Sequence, residues 1–248
     1  MKPIVFASGS CRLLSCFDYH VQSQINHYCN SLHHFNIEWK GGNNFLGKLH
    51  TARQHLLLLK FLRNDLYLSL EDQNRLLGMS FQSPWFEKYI ENNDYDYINS
   101  LKNIRQELSN CKLFYFEICS MKNALDPKSY FPVAEELEGY RKDLIRTKSK
   151  EECRNDILEL IQYVNQKFNK PKIILVGHIR NWVFDPSHIY LEDRQSIYEI
   201  LVEMDSWFEN VFYIDPAVFL TKGDLLDDWH YNEQAYCKIY KKICSFHF

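Results

Sequence analysis

The sequence predicts an α/β protein with a three-layer, doubly wound and mainly parallel five-stranded sheet. Three runs, Pro3–Ser8, Leu113–Cys119 and Lys172–Gly177, are almost continuously apolar, which is typical of strands that are covered on both faces. Helical patterns separate these runs along the chain. Strands that alternate with helices in this way indicate a doubly wound α/β domain.

The other elements have their own sequence signatures. Two shorter β-like runs, Phe35–Trp39 and Val211–Ile214, complete the predicted sheet. Residues Thr51–Leu62 (TARQHLLLLKFL) are strongly helical, and Thr51 could cap this helix. Glu151–Phe168 repeats apolar residues at helical spacing. The remaining helical patterns are Arg12–Leu32, Ile189–Phe208 and Asn232–Ile243.

The whole chain, residues 1–248, is expected to form one domain, because no linker, repeat or low-complexity segment interrupts it. The stretch 66–108 is long for a connection between two strands. It is rich in aromatic residues, among them Trp85, Phe86 and Tyr89. We therefore expect a helical aromatic insertion there, which could act as a lid.

Composition and charge argue against several classes of protein. The net charge is −3, unlike the basic footprint of a nucleic-acid-binding protein. No stretch approaches the ~20 apolar residues of a membrane span, and only about five apolar residues follow the first lysine, too few for a signal peptide. The eight cysteines include no Cys-x-x-Cys pair. We therefore expect reduced thiols, a cytoplasmic location, and neither a membrane nor a nucleic acid as partner.

One cysteine has histidines close to it in the sequence. Cys29 lies near His27, His33 and His34, which suggests a zinc site. The spacing matches no usual zinc motif, however, so no bound metal is expected.

Small and polar residues follow the predicted strands. In open parallel sheets, ligands bind beyond the carboxyl ends of the strands, so these residues are the candidates for a binding site. They are Gly9–Arg12 after the first strand, Gly42, Asn43 and Asn44 after the second, Ser120 after the third, and His178 after the fourth. Glu117 and Lys122, which flank the third strand, could pair with each other or contact substrate.

Three residues from the two ends of the chain suggest nucleophilic catalysis. Cys11 is placed at a predicted helix N-terminus, where the helix dipole, Arg12 and a protonated histidine would favour its thiolate. Asp227 and His230 form an Asp-x-x-His pair, in which the carboxylate could orient the imidazole as a general base. Alternatives remain open: Asp227 or Asp228 could simply cap the last helix, and Cys11 could be a buried structural thiol. Ser8 or Ser10 could also be the nucleophile.

The motifs GSC at Gly9–Cys11 and DDWHYN at 227–232 resemble the first and last blocks of the SGNH/GDSL-type hydrolases and acyltransferases. The Cys variant is similar to GSCFA-type proteins and to bacterial capsule O-acetyltransferases. The resemblance implies an SGNH/flavodoxin-like fold, with Cys11 as nucleophile and with His230 and Asp227 as its partners. The third block of that family, Gly-x-Asn-Asp, is missing here. The candidates for oxyanion donors are therefore the backbone N–H of Cys11 or Arg12, that of Gly42, and the amide of Asn43 or Asn44.

The resemblance implies acyl transfer through a thioester. The first expectation is an O-acetyltransferase acting on a carbohydrate, with acetyl-CoA as a possible acyl donor and no required cofactor. The alternatives are an SGNH-type esterase acting on a carbohydrate or another small acyl ester, and a catalytically inactive carbohydrate-binding module.

Overall fold

The computed structural model describes residues 4–31, 49–68, 95–125, 132–133, 145–179, 191–227 and 230–247. Its strands are β1 (Ile4–Ser8), β2 (Asn30–Ser31), β3 (Leu113–Glu117), β4 (Lys122–Leu125), β5 (Pro132–Val133), β6 (Ile145–Thr147), β7 (Lys172–Val176) and β8 (Val211–Ile214). Its helices are α1 (Cys11–Leu14), α2 (Tyr19–Ile25), α3 (Ala52–Leu62), α4 (Tyr95–Leu108), α5 (Lys150–Lys167), α6 (Leu191–Trp207) and α7 (Glu233–Cys244).

The main sheet is parallel, in the order β2-β1-β3-β7-β8. Because all of its strands run the same way, the residues that follow β1, β3, β7 and β8 meet at one edge of the sheet. The α/β class and the parallel sheet are therefore as the sequence predicts. Four of the predicted strands correspond to β1, β3, β7 and β8, whereas the predicted strand Phe35–Trp39 lies outside the described residues.

Alternate residues of the central strands enter two hydrophobic cores, one on each face of the sheet. Phe6 belongs to the core under α3, α4, α5 and α6, and its neighbours Val5 and Ala7 belong to the core under α1, α2 and α7. Phe114 and Tyr115 of β3 divide between the same two cores. Burial on both faces explains why these strands read as continuous apolar runs.

The helices begin where capping side chains satisfy their first backbone N–H groups. Thr51 and Gln54 form a capping box at the start of α3, which confirms the capping role considered for Thr51. Ser149 and Glu152 do the same for α5. Asn232 caps α7, so the alternative in which Asp227 or Asp228 caps this helix is wrong.

The single helix predicted over Arg12–Leu32 is wrong. The structure has the one-turn α1, a 3-10 turn at Ser15–Phe17, and then α2, with Asp18 extended between them (ψ 145°). The interruption turns Phe17 into the core. Its ring packs edge-on against the rings of Tyr115 and Tyr240, with centroid distances of 5.5 and 5.8 Å. Packing of one large aromatic ring against the sheet has overridden the continuation of the helix.

Two further regions complete the described chain. A small antiparallel sheet, in the order β5-β4-β6, was not predicted, because its strands are only two to four residues long. Within the stretch 66–108, residues Tyr95–Leu108 form α4, and residues 69–94 lie outside the described part, so the insertion or lid stays a prediction. In the described part of the chain, every helix is too short or too polar to span a bilayer.

Candidate functional site

The polar residues at the carboxyl edge of the sheet are organised around one buried carboxylate, that of Glu117 at the end of β3. Its Oε2 accepts hydrogen bonds from the backbone N–H of Ser10 (2.7 Å) and from Ser10 Oγ (2.6 Å). Its Oε1 accepts from Arg12 Nε (2.8 Å). The residues on both sides of Cys11 are therefore tied to β3, and this fixes the backbone of Cys11 at the start of α1. The side chain of Cys11 lies outside the described part of the structure.

Glu117 and Arg12 both stay charged although both side chains are buried. Burial alone would raise the pKa of Glu117, but the Arg12 charge and the hydrogen bonds from Ser10 and Arg12 leave it below its ordinary value. Burial alone would lower the pKa of Arg12, and Glu117 raises it overall. Arg12 Nη2 also donates to Cys119 Sγ (3.2 Å), whose pKa burial raises to about 12. The guanidinium of Arg12 thus binds Glu117 and Cys119 and stabilises the turn after β1.

Gly9 makes this arrangement possible by lacking a side chain. A Cβ at Gly9 would lie 2.7 Å from Glu117 Cβ and 3.0 Å from its Oε2. The space beside Gly9 is therefore occupied by Glu117.

A second buried polar chain lies beneath the turn. His55 Nε2 is 2.8 Å from the backbone carbonyl of Glu117, which can only accept, so this nitrogen carries the proton. Burial lowers the pKa of His55 to about 4, so the ring is neutral and its Nδ1 accepts from Ser8 Oγ at 2.8 Å. Ser8 and Ser10, the alternative nucleophiles, are 1% and 2% exposed and both hydroxyls are engaged within the protein.

The Asp-x-x-His pair is formed as its spacing suggests. His230 Nδ1 lies 2.8 Å from Asp227 Oδ2, and the backbone N–H of His230 donates to Asp227 Oδ1 at 2.7 Å. Because a carboxylate only accepts, Nδ1 carries the proton and Nε2 is left as the nitrogen for proton transfer. The two side chains are 53% and 52% exposed, so solvent reaches the pair.

The residue after His230 connects this pair to the strand ends. Tyr231 is 2% exposed, and its ring meets that of His178 edge-on, with centroids 6.4 Å apart. Burial raises the pKa of Tyr231, while the charge of Arg12 acts to lower it and that of Glu117 to raise it. The last loop and the turn after β1 therefore approach the same edge of the sheet.

His178 follows β7 and borders a small crevice with Cys119 and Arg194. Burial, followed by the charges of Arg12 and Arg194, holds the pKa of His178 well below its ordinary value, so the ring is neutral. Its Nε2 accepts from Arg194 Nη2 (3.3 Å), which leaves the proton on Nδ1. Within the described residues, neither His178 Nδ1 nor the hydroxyl of Tyr231 has a hydrogen-bond partner, although both are buried.

The remaining predicted site residues have separate outcomes. The backbone N–H of Ser120 donates to the carbonyl of His50 (3.1 Å), which places Ser120 at the same edge. The backbone N–H of Arg12, a candidate oxyanion donor, donates a hydrogen bond to Ser10 Oγ (3.2 Å). The other candidates, Gly42, Asn43 and Asn44, lie outside the described residues.

The sequence analysis did not identify Glu117 as the residue that organises the site. It considered a pair between Glu117 and Lys122, whereas Glu117 pairs with Arg12. It gave no role to His55, Arg194 or Tyr231. The one available signal was a carboxylate at the end of an apolar strand, where an isolated charge needs a partner.

Comparisons with known proteins add little to this geometry. No protein-family model and no curated protein sequence matches the chain. Among solved structures, it is similar to a family two carbohydrate esterase from Clostridium thermocellum in complex with cellohexaose, with 9% identity and a TM-score of 0.43. The match covers 99% of this chain and 63% of that chain. This similarity is too low to transfer residues or an activity.

Proposed function

We propose that this protein is an acyl-transfer enzyme in which Cys11 is the nucleophile, His230 the general base and Asp227 the residue that orients it. The observation that carries the proposal is the 2.8 Å pair between His230 Nδ1 and Asp227, on a loop whose next residue, Tyr231, packs at the strand ends. Cys11 begins α1 at that edge, between two residues bound to Glu117.

The proposed reaction has two steps. In the first, His230 Nε2 takes the proton of the Cys11 thiol, and the sulfur attacks the acyl carbonyl. The bond from the acyl carbon to the leaving oxygen or sulfur breaks, and the leaving group takes the proton from His230. In the second step, His230 deprotonates an acceptor hydroxyl, which attacks the thioester and releases the thiol. Asp227 stabilises the imidazolium that forms in both steps.

Two buried polar groups near the strand ends are candidates for contacts with the substrate. His178 Nδ1–H and the Tyr231 hydroxyl have no partner in the described chain, and a buried donor without a partner is costly unless a ligand or water satisfies it. We propose that they bind oxygen atoms of the substrate. Gly42, Asn43 and Asn44 remain the proposed donors to the oxyanion.

We propose a carbohydrate hydroxyl as the acceptor and acetyl-CoA as the acyl donor, which makes the protein an O-acetyltransferase. Water is the second candidate acceptor, because the side chains of His230 and Asp227 are about half exposed, at 53% and 52%. An enzyme using water would be an esterase. Both activities require the same three residues.

The experiment compares acyl release from p-nitrophenyl acetate with acetyl transfer from acetyl-CoA to soluble oligosaccharides. Cys11→Ala is expected to abolish both reactions. His230→Ala should lower kcat by about 100- to 10,000-fold, the range of general acid–base catalysis. Asp227→Asn should lower kcat less than His230→Ala does, because His230 is exposed and water can also contact its imidazole. His20→Ala, which alters an exposed histidine of α2, is the matched control and should leave the rates unchanged.

Two results would contradict the proposal. One is full activity in Cys11→Ala together with loss of activity in Ser8→Ala or Ser10→Ala. The other is the absence of both reactions while the folded protein still binds oligosaccharides, as an inactive carbohydrate-binding module would.

A further inference from the structure

At the amino-terminal edge of the main sheet, opposite the candidate site, His27, Cys244 and His247 converge. Each offers one ligand atom, and the three atoms all lie within 4.8 Å of one another. His27 Nε2 and His247 Nδ1 are 2.8 Å apart, and the two ring centroids are 5.0 Å apart. Imidazole nitrogen and thiolate sulfur are the ligands that zinc prefers, and three of them leave the fourth tetrahedral position open.

The fold brings together residues that are up to 220 positions apart. On one side, α2 ends at Asn26, whose backbone is left-handed (φ 54°). His27 follows in the loop that leads to the first residue of β2, at the amino-terminal edge of the sheet. The carbonyl of His27 accepts a hydrogen bond from the Tyr240 hydroxyl of α7 (3.1 Å), which ties this loop to the last helix.

On the other side, the C-terminal turn presents Cys244 and His247 together. Cys244 ends α7, and the backbone N–H of His247 donates to its carbonyl (3.1 Å), so the two residues lie one turn apart. The ring of His247 meets that of Tyr115 edge-on, with centroids 6.2 Å apart. Its Nε2 is buried and has no hydrogen-bond partner among the described residues.

We propose that this protein binds one Zn²⁺ ion between His27, Cys244 and His247. On binding, Cys244 releases its thiol proton to solvent and forms a Zn–S bond, the two neutral imidazoles form Zn–N bonds, and water takes the fourth position. Tetrahedral zinc with Zn–N bonds of about 2.0–2.1 Å separates two ligand nitrogens by about 3.3 Å. The nitrogens of His27 and His247, now 2.8 Å apart, need to separate only slightly.

The ion would lie away from the candidate site. The cluster belongs to the loop before β2 and to the end of α7, whereas Cys11 follows β1 at the other edge. Zinc there would tie the C-terminal helix to the loop after α2. The sequence analysis considers Cys29, and not Cys244, as the thiol ligand beside His27, and its spacing predicts no metal. In the structure, the Cys29 thiol is buried and lies 3.5 Å from the Tyr240 hydroxyl.

The test uses the full-length chain, stripped of metal in reducing buffer and titrated with Zn²⁺ against a chromophoric chelator. Wild type is expected to bind one zinc ion per chain and to melt at a higher temperature with zinc than without. Cys244→Ser and His247→Gln should lose both effects. Cys237→Ser is the matched control, because this thiol is on the same helix but contacts Gln24 (3.2 Å), and it should retain both effects.

Co²⁺ provides a readout of the Cys244 thiolate as a ligand. Wild type and Cys237→Ser should show a sulfur-to-cobalt charge-transfer band that Cys244→Ser lacks. The proposal is overturned if wild type binds no zinc and shows no such band. It is equally overturned if Cys244→Ser and His247→Gln bind zinc as wild type does.

Discussion

Replacement of Glu117 by glutamine tests the organisation of the candidate site. The two carboxylate oxygens have different partners: Oε2 accepts from Ser10, and Oε1 accepts from Arg12. In Glu117→Gln, one of these oxygens becomes an NH₂ group, which would face a donor. The substitution therefore removes the charge that Arg12 requires and also places one donor against another.

The burial of the pair sets the size of the effect. Glu117 is 1% exposed and Arg12 is 9% exposed, so water cannot readily replace the lost carboxylate. Removing one partner of a buried ion pair typically costs about 3–5 kcal/mol. Since domains are stable by only about 5–15 kcal/mol, Glu117→Gln is expected to lose a large fraction of the folding free energy.

Urea unfolding, followed by tryptophan fluorescence and circular dichroism, measures this loss. The control is Glu159→Gln, because Glu159 also pairs with two cations, Arg53 and Lys60, but its side chain is 42% exposed. Exposed pairs contribute about 0–1 kcal/mol. Arg12→Met combined with Glu117→Gln should cost less than the sum of the single changes. A loss below about 1 kcal/mol for Glu117→Gln would refute the reasoning.

Three further predictions concern stability. Burial lowers the folded-state pKa of His55 to about 4, below the ordinary 6.5, so the unfolded chain binds this proton more readily. The contribution of His55 is then present above pH 6.5 and lost as the pH falls toward 4, by about 3 kcal/mol. Urea unfolding over this pH range should show a correspondingly smaller loss in His55→Asn, and an equal loss would contradict the assignment. Gly9→Ala should destabilise by about 1–3 kcal/mol in thermal melts, because its Cβ would clash with Glu117. Gly223→Ala, whose Cβ would meet nothing closer than 3.8 Å, should be neutral, and equal effects of the two would argue against the clash. Thr51→Ala removes an N-cap and should cost about 1 kcal/mol in urea unfolding, so an unchanged midpoint would contradict the capping role.

Local patterns account for what the sequence predicts well. The strands β3 and β7 are buried on both faces, which leaves a continuous apolar run in each. The capping role of Thr51 and the pairing of Asp227 with His230 depend on residues three positions apart. Such contacts can be inferred because the chain itself brings the partners together.

The contacts that organise the site are not local. Glu117 binds Ser10 and Arg12 from more than 100 residues away, and nothing near β3 in the sequence identifies those partners. His55 lies within a leucine-rich helix, where a buried histidine and an exposed one give the same pattern. The proposed zinc ligands likewise join His27 to Cys244 and His247 near the other end of the chain, so their spacing in the sequence matches no motif.

The most direct test of the proposed acyl transfer is the mass of the protein after a single turnover with acetyl-CoA. The account predicts that wild type gains one acetyl group, that peptide mapping places it on Cys11, and that Cys11→Ala gains none. In His230→Ala, the same adduct should form and decay more slowly. An acetyl group on Ser8 or Ser10, or turnover that proceeds unchanged in Cys11→Ala, would contradict it.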